Sequence, residues 1–262
     1  MPYATLEGIQ LYYALQGREG QPVILFLHGL GSSAQDWAAQ MDYFERDYRV
    51  LVADMRGHGQ SDKPRGPYTM RQFAADVIAL LDHLKIDRVH GVGLSMGGMI
   101  AFQLAVDAPQ RLRSMTIINS GPAVVPHTFK DRFAIWMRFW IVRYMGMRKM
   151  GETLAPRLFV DPDQAALRQR FIESWAANDP RAYQDAMRAI AGWSVEDRIG
   201  AITTPTLIIS ADHDYTPVAA KEAYIAKMPN ATLKVIENAH HAVAVERPEA
   251  FNTVLDDFIK AQ

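Results

Sequence analysis

The sequence contains no cysteine. A disulfide framework, a thiolate metal site and a cysteine nucleophile are therefore excluded, and the absence fits a reducing compartment. An excess of either charge is also lacking: 28 Lys and Arg stand against 29 Asp and Glu, a formal net charge of -1. Such a balance gives no field that would recruit nucleic acid or an anionic membrane, and neither is expected as a partner. Long apolar runs are missing as well. Stretches such as Val23 to Leu27 fall far short of the roughly 20 residues that span a bilayer. The first 21 residues alternate apolar and polar side chains and include Glu7 and Glu19, without the basic start and apolar run of a secretory leader. The expectation is a cytoplasmic protein with no stable membrane insertion.

What is present suits a single domain with a large core: 262 residues, 49% of them hydrophobic and 22% charged. Short runs of β character alternate with helical patterns, the signature of a parallel sheet covered on both faces. Ala4–Glu7 and Ile9–Ala14 read as a hairpin turning at Gly8. Val23–His28, Arg49–Asp54, Arg88–Gly93 and Ser114–Asn119 read as strands, with helices at Trp37–Phe44, at Met96–Val106 and from a Thr69 cap to Leu84. The alternation stops near Pro122. Residues 122–197 read as helical, and strands return at Thr206–Ser210 and Thr232–Ile236, with helices at Val218–Met228 and Glu249–Lys260. The expected organisation is a core of residues 1–121 and 198–262 carrying a helical cap of residues 122–197. An insertion between two strands should lie over their carboxyl ends, where open α/β sheets bind ligands.

Gly93-Leu94-Ser95-Met96-Gly97 marks a serine at a sharp strand-to-helix turn. The turn strains the serine backbone, so its neighbours must be small, and the side chain is pushed out at the top of the sheet. The helix starting there aims its free N–H groups at any developing negative charge, which makes the Met96 N–H an oxyanion donor. Taken alone the motif also fits a plain Gly/Ser connection. A dinucleotide fingerprint fits poorly, because Gly91-x-Gly93-x-x-x-Gly97 is one residue too long and Gly91 lies inside the strand.

A nucleophilic serine needs a base, and the base needs an orienting acid. The chain offers both, each just past a strand and in the order acid then base. Ala211-Asp212-His213-Asp214 follows TLIIS, and Glu237-Asn238-Ala239-His240-His241 follows TLKVI. The residues leave Asp212 or Asp214 open as the acid and His240 or His241 as the base. Asp212, His213, Asp214, His240 and His241 could also converge on zinc; the serine reading already employs two of them, and no metal or other cofactor is expected.

LHGLGSS (27–33), DMRGHGQSD (54–62), GLSMGGMIA (93–101), SADHDYTPV (210–218) and AHHAVAVERPEAFN (239–252) together resemble the α/β-hydrolase superfamily over nearly the whole chain, the cap excepted. The similarity is strongest to 3-oxoadipate enol-lactonases, bacterial carboxylesterases and cofactor-free haloperoxidases or perhydrolases. It implies an α/β-hydrolase fold: a mostly parallel eight-stranded sheet flanked by helices, with an inserted helical cap. It selects Asp214, the last residue of a small-x-x-Asp pattern, and His241, five residues before the Glu of Glu246-Arg247-Pro248. This chain departs from the pattern in having His240 and Ala211 where glycine is usual. After the VILFL strand, His28-Gly29-Leu30-Gly31 lets the backbone approach a bound acyl group, with the Leu30 N–H as second oxyanion donor. His28 is read as a buried structural residue. Asp54 and Arg56 are expected to satisfy backbone groups and one another.

In the cap, Phe129, Phe133, Trp136, Met137, Trp140 and Tyr144 recur at helical spacing, and Ile135, Phe139 and Val142 mark a second apolar side. Phe133, Trp136 and Trp140 are taken as substrate-pocket residues. The basic residues beside them suggest either a carboxylate-binding group or a membrane-surface helix, and packing with solvated charges is the plainer alternative. The expected activity is hydrolysis of a small, partly apolar carboxylic ester or lactone through an acyl-enzyme on Ser95. C–C bond hydrolysis, perhydrolysis and acyl transfer would use the same residues, and a ligand-binding protein that kept the pocket is the rival from outside enzymes.

Overall fold

The computed structural model describes residues 3–262. The chain runs β1 (Tyr3–Leu6), β2 (Ile9–Gln16), β3 (Val23–Leu27), α1 (Ala38–Phe44), β4 (Arg49–Ala53), α2 (Met70–His83), β5 (Val89–Leu94), α3 (Met96–Asp107) and β6 (Leu112–Ile118). Four helices follow, α4 (Phe129–Tyr144), α5 (Gly146–Leu158), α6 (Ala165–Ala176) and α7 (Pro180–Ile190). The sheet then resumes with β7 (Thr206–Ala211), α8 (Val218–Ile225), β8 (Ala231–Ile236), α9 (Val243–Glu246) and α10 (Pro248–Lys260). The strands form one sheet in the order β1-β2-β4-β3-β5-β6-β7-β8. Pairings β1–β2 and β2–β4 are antiparallel and the rest are parallel.

The local chemistry accounts for these elements. Every residue of β3 and β5 is buried, as in strands covered on both faces, which is why VILFL shows no alternation. The first hairpin turns through Glu7 and Gly8, both at positive φ, a backbone twist that matches the right-handed twist of the strands it joins. The Thr69 hydroxyl accepts the Gln72 N–H at 3.1 Å and starts α2. Leucine, phenylalanine and methionine of α2 and α3 fill one face of the sheet, joined by Tyr224 of α8. Trp37, Met41 and Phe44 around α1, with Phe251, Leu255 and Ile259 of α10, fill the other.

Between β6 and β7 the helices α4–α7 gather a separate apolar cluster that includes Met147, Met150, Leu154, Leu158, Trp175 and Tyr183. The two ends of this excursion are stitched together by main-chain hydrogen bonds. Val124 N–H donates to Trp193 (2.8 Å), Gly192 N–H to Val124 (2.9 Å) and Val195 N–H to Pro122 (2.8 Å). Among the described residues, no helix is long and apolar enough to cross a membrane.

Arg56 departs from its expected pairing. Its guanidinium meets Asp76 of α2, both side chains being nearly buried. Asp54 instead accepts the backbone N–H groups of Ala34 and Gln60, both at 2.7 Å. Each buried charge is compensated, but not by the other.

Candidate active site

Ser95 stands between the last residue of β5 and the first of α3, with φ 53° and ψ -114°. That left-handed conformation is strained for any residue other than glycine. The backbone is packed so closely around this turn that the positions two residues before and after Ser95 have no room for a side chain. A Cβ at Gly93 would collide with the Gly97 carbonyl, and one at Gly97 with the Leu27 carbonyl. The Ser95 N–H donates to Ile118 at 3.0 Å, and the Ser120 hydroxyl donates to the Ser95 carbonyl at 2.7 Å. Leu94 and Met96 are buried while Ser95 remains partly open, so the turn presents one hydroxyl to the space above the sheet. The Gly29 position lies close enough for an added Cβ to touch the Ser95 Cβ at 3.6 Å. This brings the Gly29–Gly31 turn against the serine. Among the described residues, neither the Leu30 nor the Met96 N–H donates a main-chain hydrogen bond.

The loops after β7 and β8 carry the remaining groups. His241 Nδ1 donates to Asp214 Oδ1 at 2.6 Å, which leaves Nε2 as the nitrogen free to act as a base. The other carboxylate oxygen, Asp214 Oδ2, accepts from Lys221 Nζ at 2.7 Å and from the Thr216 N–H at 3.4 Å. Burial disfavours the Asp214 carboxylate, but the hydrogen bonds and positive charge of His241 and Lys221 outweigh it and hold its acid below the usual carboxylate range. The rivals are committed elsewhere. Asp212 accepts the N–H groups of Asn238 (2.9 Å) and Ala239 (3.0 Å), bracing the turn after β8. His240 Nδ1 meets Glu246 at 2.8 Å. Among the described residues, no group of three or more His, Asp or Glu side chains is placed to hold a metal ion.

Ser95 and His241 share a cavity of about 800 Å³. Its floor is set by the strand ends, and Arg138, Leu154, Leu158, Phe171 and Trp175 of the inserted helices line it from the other side. Phe133, Trp136 and Trp140 do not line it. They lie 47%, 54% and 40% exposed on the outer side of α4, and the opposite side, carrying Ile135, Phe139 and Val142, packs inward. The rings stack on one another along the helix, Phe129 on Phe133 and Phe133 on Trp136. Their helical repeat is real, but it faces away from the cavity.

Three further residues complete the arrangement, and the sequence had singled out none of them. Tyr215 stacks on the His241 ring, centroids 4.4 Å apart, and lines the cavity. Asn119, at φ 45° just past β6, is buried. Its amide nitrogen donates to the carbonyls of His240 (3.2 Å) and His241 (3.0 Å), and its oxygen accepts the Ala211 N–H (2.9 Å). One side chain thus ties β6 to β7 and to the histidine loop. The third is Lys221. The signal for Asn119 is its position at a strand end, where asparagine tolerates the left-handed region; the other two carry no local pattern. His28 braces the turn below Leu30. Its Nδ1 donates to the Gly29 carbonyl (2.8 Å) and its Nε2 accepts the Met55 N–H (3.0 Å). Burial lowers its pKa to about 4 and that of the neighbouring His58 to about 3.

Comparison with known proteins gives a consistent picture. A family model described as "alpha/beta hydrolase fold" matches residues 22–248. A 3-oxoadipate enol-lactonase of Acinetobacter baylyi is 32% identical over 260 residues, covering 98% of this chain and 95% of that protein. The crystal structure of an enol-lactonase from Burkholderia xenovorans superposes with a TM-score of 0.92 at 28% identity, covering 99% of this chain and all of that one. A structure described as an N-acyl homoserine lactone degrading enzyme is 31% identical, with a TM-score of 0.82, covering 98% and 100% of the two chains.

Proposed function

This chain belongs to the alpha/beta hydrolase fold family, and from that premise we propose that it is a serine hydrolase of carboxylic esters or lactones working through an acyl-enzyme. The observation that carries the reading is the convergence in one cavity of Ser95, on its strained turn, with a histidine whose Nδ1 is fixed by a buried carboxylate. Ser95 Oγ attacks the substrate carbonyl, and His241 Nε2 takes its proton and returns it to the leaving alcohol. Asp214 holds the imidazole tautomer, and the N–H groups of Leu30 and Met96 receive the oxyanion. Water then repeats the sequence on the acyl-enzyme, and no step calls for a cofactor. The named lactonases among the relatives support ester or lactone as the substrate class.

The cavity also speaks to size. At about 800 Å³ it lies toward the upper end of small-molecule sites. Its leucine, phenylalanine and tryptophan lining favours an apolar acyl group of medium length, and Lys63, Arg138, Arg170 and Lys227 bring cations to the wall. The inserted helices act in this reading as the cap that shapes specificity.

The test compares the protein with Ser95→Ala. Both are treated with a fluorophosphonate probe, a p-nitrophenyl ester series of increasing acyl length and an N-acyl homoserine lactone. Labelling and turnover are expected only with Ser95 present, and medium acyl chains should outpace acetate. Undiminished turnover by the alanine variant would remove Ser95 from the chemistry.

A further inference from the structure

Lys221 occupies a place where neither helix physics nor stability calls for a cation. It lies in the first turn of α8, the end of a helix whose dipole disfavours positive charge. Its side chain is 0% exposed, as is that of Asp214. A fully buried ion pair adds little to stability, and apolar replacements of such pairs are often neutral or better. What the lysine does accomplish is specific to the carboxylate. Nζ takes Asp214 Oδ2 at 2.7 Å and the Thr216 carbonyl at 2.8 Å, while Oδ1 faces His241. The acid is therefore divided between an ammonium and an imidazole.

Resting on the serine-hydrolase reading above, we propose that Lys221 is a positioning residue that sets the working pH of the Ser95–His241 pair, by fixing the Asp214 carboxylate and offsetting its charge. An unpaired buried carboxylate would draw a proton strongly onto the imidazole and keep the base occupied in mildly acidic solution. With the ammonium on the far oxygen, the protonated imidazole meets a nearly neutral pair, and the base is released at lower pH. The other charged and titratable groups around the pair are already placed. Tyr215 stacks on His241, and its phenol is held up by burial to about 12, against the charge of Arg138 of α4. From α8, Tyr224 donates to the Ser120 carbonyl at 3.0 Å. Asp212 stands 3.8 Å from His213 and is bound to backbone N–H groups, and Glu246 is bound to His240. Among the described residues, the Thr216 N–H also donates to the Asp214 oxygen that faces away from the imidazole, but Lys221 alone brings a charge to it.

Removing a unit charge about 7 Å from the imidazole, at an effective dielectric near 20, moves a titration by about one to two pH units. The charge lost is positive, so the protonated imidazole gains and the acid limb moves to higher pH. The experiment measures the rate of fluorophosphonate labelling of Ser95 from pH 4 to pH 9 in the wild type, Lys221→Gln and Lys221→Met, with thermal melting alongside. The expected result is an acid limb raised by about one to two pH units in both variants. A limb that stays within about 0.3 pH unit while the melting temperature falls assigns Lys221 a purely structural role and overturns the proposal. Absence of wild-type labelling at every pH would instead strike the serine-hydrolase reading itself. Should both variants fail to fold, the 15N and 13C resonances of the Lys221 side chain in the wild type decide: an ammonium at pH 7 is expected, and a neutral amine overturns the proposal.

Discussion

Asn119 joins three segments through one carboxamide, and its removal should be felt both in stability and at the candidate site. In Asn119→Ala the Ala211 N–H loses its acceptor at a position that is 0% exposed. A buried donor left alone costs about 2 kcal/mol, and the two hydrogen bonds lost from the His240 and His241 carbonyls about 1 kcal/mol each. Alanine at φ 45° adds about 1 kcal/mol of left-handed strain that asparagine tolerates better. The total is about 5 kcal/mol. In a domain of this size 1 kcal/mol moves Tm by roughly 2–4 °C, so a fall of about 10–20 °C is expected. Asn119→Gly separates the causes: it loses the same hydrogen bonds but relieves the strain, and should melt a few degrees above the alanine variant. The histidine loop then rests on fewer ties, and fluorophosphonate labelling should slow by about tenfold or more even well below Tm. Differential scanning fluorimetry and a labelling time course suffice. A Tm within about 3 °C of the wild type, or a glycine variant less stable than the alanine one, would refute the reasoning.

Asp214→Asn should lower ester turnover by about 10³–10⁴-fold, since the amide favours the wrong imidazole tautomer. Asp212→Asn should keep turnover within about threefold and lower Tm by a few degrees, and a reversed pair of outcomes would exchange their roles. Burial holds the pKa of His28 and His90 at about 4 and of His58 at about 3. The unfolded chain therefore takes up protons from about pH 6.5 downward while the folded protein refuses them. This stabilising contribution is complete above pH 6.5 and is lost as pH falls from 6.5 to about 4 for His28 and His90 and to about 3 for His58, at about 1.4 kcal/mol per pH unit for each imidazole; a Tm that stays flat from pH 7 to pH 5 contradicts it. Trp136→Ser and Trp140→Ser, on the outer side of α4, should leave labelling within about twofold. A tenfold loss would place those rings at the substrate after all.

The parts of this molecule that a reader of the sequence could see are those whose physics is local. Alternating apolar runs and helical repeats located the strands and helices, and the Gly93–Gly97 turn announced itself because close main-chain approach admits only glycine there. Asp214 and His241 were narrowed down by resemblance, and the structure brings these two side chains together. The identity of the partner of a buried charge was not legible. Arg56 reaches Asp76 in a helix of its own neighbourhood rather than Asp54, and Asn119 reaches more than 90 positions along the chain. Helical periodicity likewise fixes which residues share a side of α4 but not which side turns inward. The side carrying Phe129, Phe133 and Trp136 has its rings stacked on each other, and the side carrying Ile135, Phe139 and Val142 meets the neighbouring helices.

The stitched neck at Pro122–Val124 and Gly192–Val195 gives the excursion above the sheet the properties of an interchangeable cassette. Its closure is made by peptide groups, which any sequence supplies. The entropy of closing a loop rises by only about 0.6 kcal/mol when its length doubles. A longer, shorter or wholly different set of helices can therefore be carried on the same two stalks while Ser95, Asp214 and His241 keep the places that the strands beneath assign them. Under the proposed function, recognition of the substrate and execution of the chemistry would then be separately heritable, and the helices could change without disturbing the strand-end residues beneath them.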